Sequence, residues 1–158
     1  MTTDLRRALV AAAIGLLLLA IVLQVRRHAG TPSIVADPLR TPGMLNAAVT
    51  QATIRLTICK HGWTRTVRPP TDYTNALKRK QMRMYDEHGP PSAYQEDHLV
   101  SLELGGDPTD PRNLWPEPYP RAADVDKIEN ELNAQVCSGA LSLADAQAKE
   151  AQLKHTQG

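Results

Sequence analysis

Residues 94–118 have the sequence YQEDHLVSLELGGDPTDPRNLWPEP, and this stretch decides the expected fold. Asp97 and His98 stand side by side near its start, and a short apolar segment, residues 99–104, follows them. A Gly-Gly pair then breaks the chain, and Asn113 precedes a second apolar segment. Turn residues between two short apolar segments are typical of a hairpin, so we expect residues 99–104 to be part of one.

Helices are predicted on both sides of this stretch. Downstream, residues 121–136 carry apolar side chains at helical spacing, namely Val125, Ile128, Leu132 and Val136. Ser142 and Asp145 then form a capping box that opens a last, Ala-rich helix. Upstream, Thr71 is a suitable N-cap for a helix over the following residues. Its predicted inner face contains Tyr73, Leu77 and Met84.

Two upstream segments have a less decisive pattern. Residues 49–59 alternate like a strand, yet Ile54 and Ile58 are four apart, as in a short helix, and we favour the helix. Residues 63–68 alternate and are predicted to be a short strand that ends before two prolines. Trp63 and Trp115 are expected in the core rather than on a base-stacking surface, because the chain has no Phe.

Charge is distributed unevenly although the net charge is only +1. Residues 55–83 hold eight basic residues and one acid, whereas residues 86–131 hold twelve acids and three basic residues. A hydrolase acting on a polyanion could use such a division, with a basic face for phosphate and an acidic pocket for a cation. The alternative is two solvated surfaces of opposite sign. The residues expected to bind nucleic acid are Arg68, Lys78, Arg79, Lys80 and Arg83.

The N-terminal region has the features of a membrane segment. Residues 8–23 are an unbroken apolar run with Arg6 and Arg7 before it. Its length is short for a spanning helix but sufficient, and the same features fit a secretory signal. We expect residues 1–28 to be an uncleaved anchor with the domain outside the cytoplasm; secretion after signal cleavage is the alternative. Residues 29–48 are rich in Pro and are predicted to be a tether or an arm lying on the domain.

The two cysteines, Cys59 and Cys137, are far apart and neither belongs to a CxxC pair, which disfavours structural zinc. In a small exported domain, such a pair predicts one disulfide closing a long loop. Two buried free thiols in a cytosolic domain are the alternative.

The strings DHLVSLELGG and NLWPEP resemble the HNH (ββα-metal, His-Me finger) nuclease pattern, and more narrowly a group of small exported bacterial HNH-like proteins. That narrower resemblance extends from about Thr41 to the C-terminus and includes TIC, TVRPPT, YTN and VCSG. It implies an α+β fold for residues 49–158, with an HNH-like ββα-metal core and flanking helices. The predicted transmembrane helix precedes this domain.

The resemblance also implies roles for particular residues. His98 corresponds to the general base that activates water, and Asp97 to a ligand of a divalent metal, most simply Mg²⁺, with Mn²⁺ or Zn²⁺ as alternatives. Asn113 would brace the loop or orient His98. Where the pattern has Asn or His early in the closing helix, this chain has neither, so we expect Asp126 as the ligand. Asp124 and Glu129 are its rivals.

One geometric condition follows from the adjacency of Asp97 and His98. Neighbouring side chains in a regular strand point to opposite faces, so the pair can serve one phosphate only at a strand end or an irregularity. On this basis the leading hypothesis is a metal-dependent endonuclease that cuts DNA or RNA. The alternatives are an HNH scaffold that has lost catalysis and binds a polyanion, and a purely structural protein.

Overall fold

The structure is a computed structural model, and it describes residues 34–158. Within this range the chain forms one compact unit of mixed α+β architecture, with four α-helices and a two-stranded sheet. The elements, in chain order, are α1 (Trp63–Val67), α2 (Thr71–Met84), β1 (Tyr94–His98), β2 (Leu114–Pro118), α3 (Arg121–Ser138) and α4 (Leu143–Thr156). The expectation of an α+β fold is therefore confirmed for the described residues.

Strands β1 and β2 pair antiparallel, and the register sets Asp97 opposite Trp115 and His98 opposite Leu114. His98 is the last residue of β1, so the condition that the Asp97–His98 pair sits at a strand end is met. The predicted hairpin is present, but residues 99–104 lie in its connection rather than in a strand.

Helices α3 and α4 follow the predicted pattern. Val125, Leu132 and Val136 of α3 are buried, and Gly139 ends this helix in the left-handed conformation. The Ser142 hydroxyl accepts a hydrogen bond from the backbone N–H of Asp145 at 3.1 Å, which confirms the predicted N-cap of α4.

The predictions for α2 were wrong in detail. Thr71 is the first helical residue rather than the N-cap, which is Pro70. The inner face is also different: Gln81 and Met82 are buried, whereas Tyr73 and Met84 are 37% and 45% exposed. Gln81 Nε2 donates to the carbonyl of Pro111 at 2.9 Å, so a polar contact with the hairpin connection selects the face that turns inward.

Residues 63–68 do not form the predicted strand, because Trp63–Val67 is the helix α1. Trp63 and Val67 are four residues apart. This spacing fits the alternation of a strand, and it also puts both side chains on one face of a helix. Thr66 Oγ1 donates to the carbonyl of Trp63 at 2.6 Å, which closes that turn. Over five residues the two periods cannot be separated, and residues 34–158 contain no strand that pairs with this segment.

The helix favoured for residues 49–59 is reduced to one 3₁₀ turn, Ile54–Leu56. Thr53 Oγ1 donates to the carbonyl of Ala48 at 2.8 Å and accepts from the N–H of Thr50 at 2.8 Å. These local side-chain bonds replace helical backbone bonds, which explains why the segment folds into turns. Ile54 and Ile58 are nevertheless both buried.

The main apolar cluster joins the turns, the hairpin connection and helices α3 and α4. Its members are Val49, Ile54, Ile58, Val100, Leu104, Leu132, Val136, Leu143 and Ala146. A smaller cluster is built on Trp115 with Leu99 and Ala36, and Trp63 packs against the main cluster half-buried. The expectation that both tryptophans serve the core agrees with this packing.

The predicted disulfide between Cys59 and Cys137 is present and joins the turns before α1 to the end of α3. Within residues 34–158 no helix is long and apolar enough to cross a membrane. The predicted anchor, residues 1–28, lies outside the described residues together with its apolar run at residues 8–23. Residues 34–48 are irregular. Ala36 is fully buried, and its N–H donates to the carbonyl of Lys154 at 3.0 Å.

Candidate active site

Asn113 organises the connection that follows His98. Its amide accepts from the N–H of Val100 at 3.0 Å and donates to the carbonyls of Val100 and Asp107 at 3.0 and 2.9 Å. All of these bonds go to backbone atoms, and the side chain is fully buried. Of the two roles predicted for Asn113, bracing the loop is therefore the one that its contacts support.

Gly106 allows the backbone to close around this amide. An added Cβ would lie 1.7 Å from the carbonyl oxygen of Val100 and 2.6 Å from Asn113 Nδ2. Its neighbour Gly105 has a φ of +78°, in the left-handed region, and a Cβ there would lie 2.5 Å from Val49. The Gly-Gly pair is thus required by close packing as well as by backbone conformation.

His98 is buried, and its ring is held by the backbone. Nε2 lies 3.1 Å from the carbonyl oxygen of Pro108, and because a carbonyl only accepts, Nε2 carries the proton. Burial lowers the pKa of His98 below 6.5, with the Asp97 carboxylate and the Pro108 carbonyl opposing that shift. The ring is therefore neutral at pH 7, and Nδ1 carries the lone pair of a base.

Three carboxylates converge near His98. One oxygen from each of Asp97, Asp126 and Glu129 can be chosen so that all three lie within 4.8 Å of one another. Asp126 and Glu129 are three residues apart on α3, which puts them on the same helix face, and β1 supplies Asp97. The structure thus brings Asp126 together with one of its rivals, Glu129.

The other rival, Asp124, is outside this group. Its carboxylate pairs with Lys127 Nζ at 2.9 Å, and both side chains are largely exposed. Asp124 and Asp126 are two residues apart on one helix, so they lie on different faces. The expectation that Asp124 could complete the site is not supported by its position.

Asp97 is ionised although it is buried. Burial by itself raises the pKa of a carboxyl group, but the Lys154 ammonium beside it holds the pKa of Asp97 well below its usual value. Burial also raises the pKa of Glu117, to about 9, and the Asp97 charge adds to that shift. Glu117 is therefore protonated at pH 7, and as a carboxylic acid it can donate a hydrogen bond to Asp97.

Lys154 and Glu150 are parts of this site that were not predicted from the sequence. Both are fully buried on α4, and Lys154 Nζ lies 2.6 Å from Asp97 Oδ2 and 2.6 Å from Glu129 Oε1. A signal was present, since Leu143, Ala146, Glu150 and Lys154 follow the spacing of a buried helix face. Glu129 similarly occupies a core position between Val125 and Leu132.

A cleft of about 420 Å³ opens on the carboxylates and His98. Glu96 and Glu103 also border it, and burial raises the pKa of Glu96 to about 8 while Lys78 opposes that shift. Most side chains that line the cleft are polar or charged; beyond these acids and His98 they include Arg68, Gln95, Ser101 and Asn130. The cleft therefore offers both hydrogen-bond donors and negative charge to a ligand.

The predicted nucleic-acid-binding residues are not equivalent. Arg68 is exposed and borders the cleft. Lys78 is partly buried, and its Nζ donates to the carbonyl of Tyr94 at 2.9 Å, so it ties α2 to β1. The other three predicted residues, Arg79, Lys80 and Arg83, are exposed on α2. Arg68 is thus the basic side chain best placed to meet a phosphate in the cleft.

The structure therefore gathers Asp97, His98, Asp126 and Arg68 around one cleft and sets Asn113 behind it as a brace. No family model, curated protein or solved structure matches this chain.

Proposed function

We propose that this protein is a metal-dependent nuclease that hydrolyses phosphodiester bonds in DNA or RNA. One observation carries the proposal: a buried histidine, His98, borders the same cleft as the side chains of Asp97, Asp126 and Glu129. A base and a cation-binding group side by side are what phosphodiester hydrolysis needs. The antiparallel strand pair followed by a helix agrees with the ββα arrangement of the HNH resemblance.

The residues present fit a divalent ion of the hard class. Three carboxylates offer only oxygen donors, which suits Mg²⁺ and Mn²⁺ better than Zn²⁺, since Zn²⁺ is usually held with nitrogen or sulfur ligands. Asp97, Asp126 and Glu129 would hold the ion. When bound, it would neutralise the negative charge that grows on the phosphate and the leaving oxygen.

His98 supplies the base. In hydrolysis, a water oxygen forms a bond to phosphorus while the bond from phosphorus to one ester oxygen breaks. Nδ1 of His98 takes the proton of the attacking water, because Nε2 already donates to the Pro108 carbonyl. The departing oxygen receives a proton from solvent. The buried backbone bond keeps the ring in the tautomer that this transfer requires.

The basic residues bind two groups of phosphates on the polyanion: the one that is cut and those that flank it. Arg68, at the edge of the cleft, contacts the phosphate that is cut. Arg79, Lys80 and Arg83 are exposed along α2 and contact flanking phosphates. Phosphate contacts of this kind depend on salt and carry little sequence preference.

A location outside the cytoplasm, with a membrane anchor in residues 1–28, belongs to the same proposal. The Cys59–Cys137 disulfide supports it, since disulfides persist mainly in oxidising compartments. The apolar run in residues 8–23 supports the anchor. Secretion after cleavage of this segment is the alternative.

A second candidate function is favoured by one contact. Lys154 already pairs with both Asp97 and Glu129, so these two side chains have a cationic partner without a metal. A protein of this kind would be a scaffold that binds nucleic acid or another polyanion without cutting it. Calorimetry with Mg²⁺ and Mn²⁺ separates the two candidates, because only the nuclease requires a divalent ion at Asp97.

The test is a cleavage assay of the full chain on plasmid DNA and on RNA, with Mg²⁺ or Mn²⁺ and with EDTA. His98→Ala is expected to lower kcat by about 10²–10⁴-fold, the usual contribution of a general base. His88→Ala is the matched control, because His88 is exposed and pairs with Asp86, whose side chain is also exposed. Magnesium-dependent cleavage by His98→Ala at the wild-type rate would contradict the proposal.

A further inference from the structure

Lys154 is an ammonium group enclosed by oxygen atoms. Its Nζ donates to Asp97 Oδ2 and Glu129 Oε1, each at 2.6 Å, and also to the backbone carbonyl of His98. Glu150 Oε1 lies 3.5 Å from Lys154 Nζ, and Glu150 stands one turn before Lys154 on the same helix. Three donors thus meet three oxygens from β1 and α3, which uses the full hydrogen-bonding capacity of the ammonium.

Two of these oxygens belong to carboxylates that also border the cleft. Asp97 and Glu129 are the residues that, with Asp126, form the candidate metal group. Each bonds Lys154 through one oxygen, which leaves the second oxygen free of that bond. Asp97 and Glu129 therefore lie between a buried cation on one side and the cleft on the other.

We propose that Lys154 is a built-in second cation of the site, in the position that a second divalent ion would otherwise take. This inference rests on the proposed function and deepens it. Two-metal phosphodiesterases share carboxylates between two ions about 3.5–4 Å apart. Here one of the two cations is covalently part of the chain, so the site takes a single exchangeable ion.

Lys154 is a positioning residue, because its side chain is fully buried and does not reach the cleft. It orients Asp97 and Glu129 from behind and holds the backbone at His98. Its charge also reduces the attraction that the shared carboxylates exert on a cation in the cleft. Lys154 therefore sets both the number of ions and the affinity for the one that exchanges.

A purely structural role does not account for this arrangement. Buried ion pairs contribute little net stability compared with apolar side chains of similar volume. Two other core-facing positions of α4, Leu143 and Ala146, are apolar, whereas Glu150 is a buried acid beside Lys154. What distinguishes Lys154 from them is that its partners are the same carboxylates that border the cleft.

The test measures Mn²⁺ binding to the full chain by titration calorimetry and by the electron paramagnetic resonance of free Mn²⁺. Wild type is expected to bind one ion. Lys154→Met removes the ammonium and keeps an unbranched side chain, and is expected to bind a second ion or to bind one about tenfold more tightly or better. Lys149→Met, on the exposed face of α4, is the matched control and should behave as wild type. A folded Lys154→Met with wild-type stoichiometry and affinity overturns the proposal.

Lys154→Met leaves buried carboxylates without a partner, so this variant can fail to fold in the absence of metal. In that case, thermal unfolding of Lys154→Met, followed by circular dichroism at increasing Mn²⁺ concentration, tests the proposal. The proposal expects Mn²⁺ to restore the folded signal, because a divalent ion takes the place of the ammonium, while K⁺ at equal ionic strength does not. A chain that stays unfolded at every Mn²⁺ concentration overturns it.

These outcomes are separate from those of the nuclease proposal. If wild type cuts nucleic acid with Mg²⁺ but Lys154→Met gains no ion, the function stands and the role of Lys154 is wrong. If wild type binds one Mn²⁺ but does not cut, while Lys154→Met binds a second ion or binds one more tightly, the role of Lys154 stands and the proposed function is wrong.

Discussion

Both carboxylate oxygens of Glu150 accept a hydrogen bond from the backbone N–H of Ser101, each at 3.0 Å. Ser101 lies three residues beyond His98, and both residues of the contact are buried. Helix α4 thereby fixes the backbone of the connection between β1 and β2, directly after His98. Glu150 also lies beside Lys154, so one carboxylate fixes the backbone and helps to balance the buried ammonium.

Glu150→Ala is expected to lower the free energy of unfolding by about 3–5 kcal/mol, because it leaves a buried N–H without an acceptor and removes a charge beside Lys154. Glu150→Gln keeps an acceptor oxygen and should cost less. Urea unfolding of the full chain measures both. Glu131→Ala is the control, since Glu131 is exposed on α3 and its loss should change stability by less than about 0.5 kcal/mol.

Gly106→Ala is expected to destabilise the protein much more than Gly139→Ala. At Gly106 the new methyl group would lie 1.7 Å from a buried carbonyl oxygen, so the Asn113 bracing must break. Gly139 has a φ of +84° and open space around its Cβ position, so only conformational strain of about 1–2 kcal/mol applies. Equal shifts in the urea midpoint for the two variants would contradict the packing described around Val100 and Asn113.

The parts of the fold that could be predicted are those in which one pattern persists. Four apolar residues at helical spacing defined α3, and the Ser142–Asp145 pair defined the start of α4. The strand prediction for residues 63–68 was wrong because so short a segment fits the spacing of a strand and of a helix equally well. Tertiary contacts rather than the sequence pattern decide between the two. For α2, the bond from Gln81 to the hairpin connection selected a face that hydrophobicity alone did not indicate.

The residues of the candidate site also fall into two groups: those that the sequence predicted and those that only the structure revealed. Asp97, His98 and Asn113 stood in a recognisable string, and the structure sets them at a strand end and its connection. Glu150 and Lys154 stood outside it, and Glu117 stood inside it without a predicted role, because acidic and basic side chains are ordinarily solvated. Their burial becomes understandable only in the folded chain, where the Lys154 ammonium meets Asp97, Glu129 and Glu150, and Glu117 is protonated beside Asp97.

Replacing both cysteines, Cys59 and Cys137, by Ala is expected to cost about 2–5 kcal/mol of stability. The bond spans 78 residues and joins the turns before α1 to α3, so its loss frees a large part of the unfolded chain. Thermal unfolding with and without dithiothreitol measures the effect. Reductant should lower the Tm of wild type and leave that of the double variant unchanged; a response of the double variant would assign the effect to something other than this disulfide.

Asp126→Asn is expected to weaken Mn²⁺ binding by about tenfold or more, because a carboxylate ligand is replaced by a neutral amide. Asp124→Asn is a close control: Asp124 lies two residues away on the same helix but faces solvent, paired with Lys127. Titration calorimetry on the two variants compares the same chemical change on and off the site. Similar losses of affinity for both would mean that the ion responds to the general charge of α3, and not to the group with Asp97 and Glu129.

The pH dependence of cleavage should reveal the burial of His98. Its ring must be neutral to act as a base, so kcat/KM falls as the pH drops through its pKa. Because burial lowers that pKa, the acid limb of the profile is expected below pH 6.5. Asp97 does not titrate in this range: burial opposes its ionisation, but Lys154 outweighs burial and keeps its pKa well below the usual value. The measurement uses subsaturating substrate with Mn²⁺ held saturating at every pH, so that the carboxylate ligands do not add a second limb. An acid limb centred at or above pH 6.5 would contradict the assignment of buried, neutral His98 as the base.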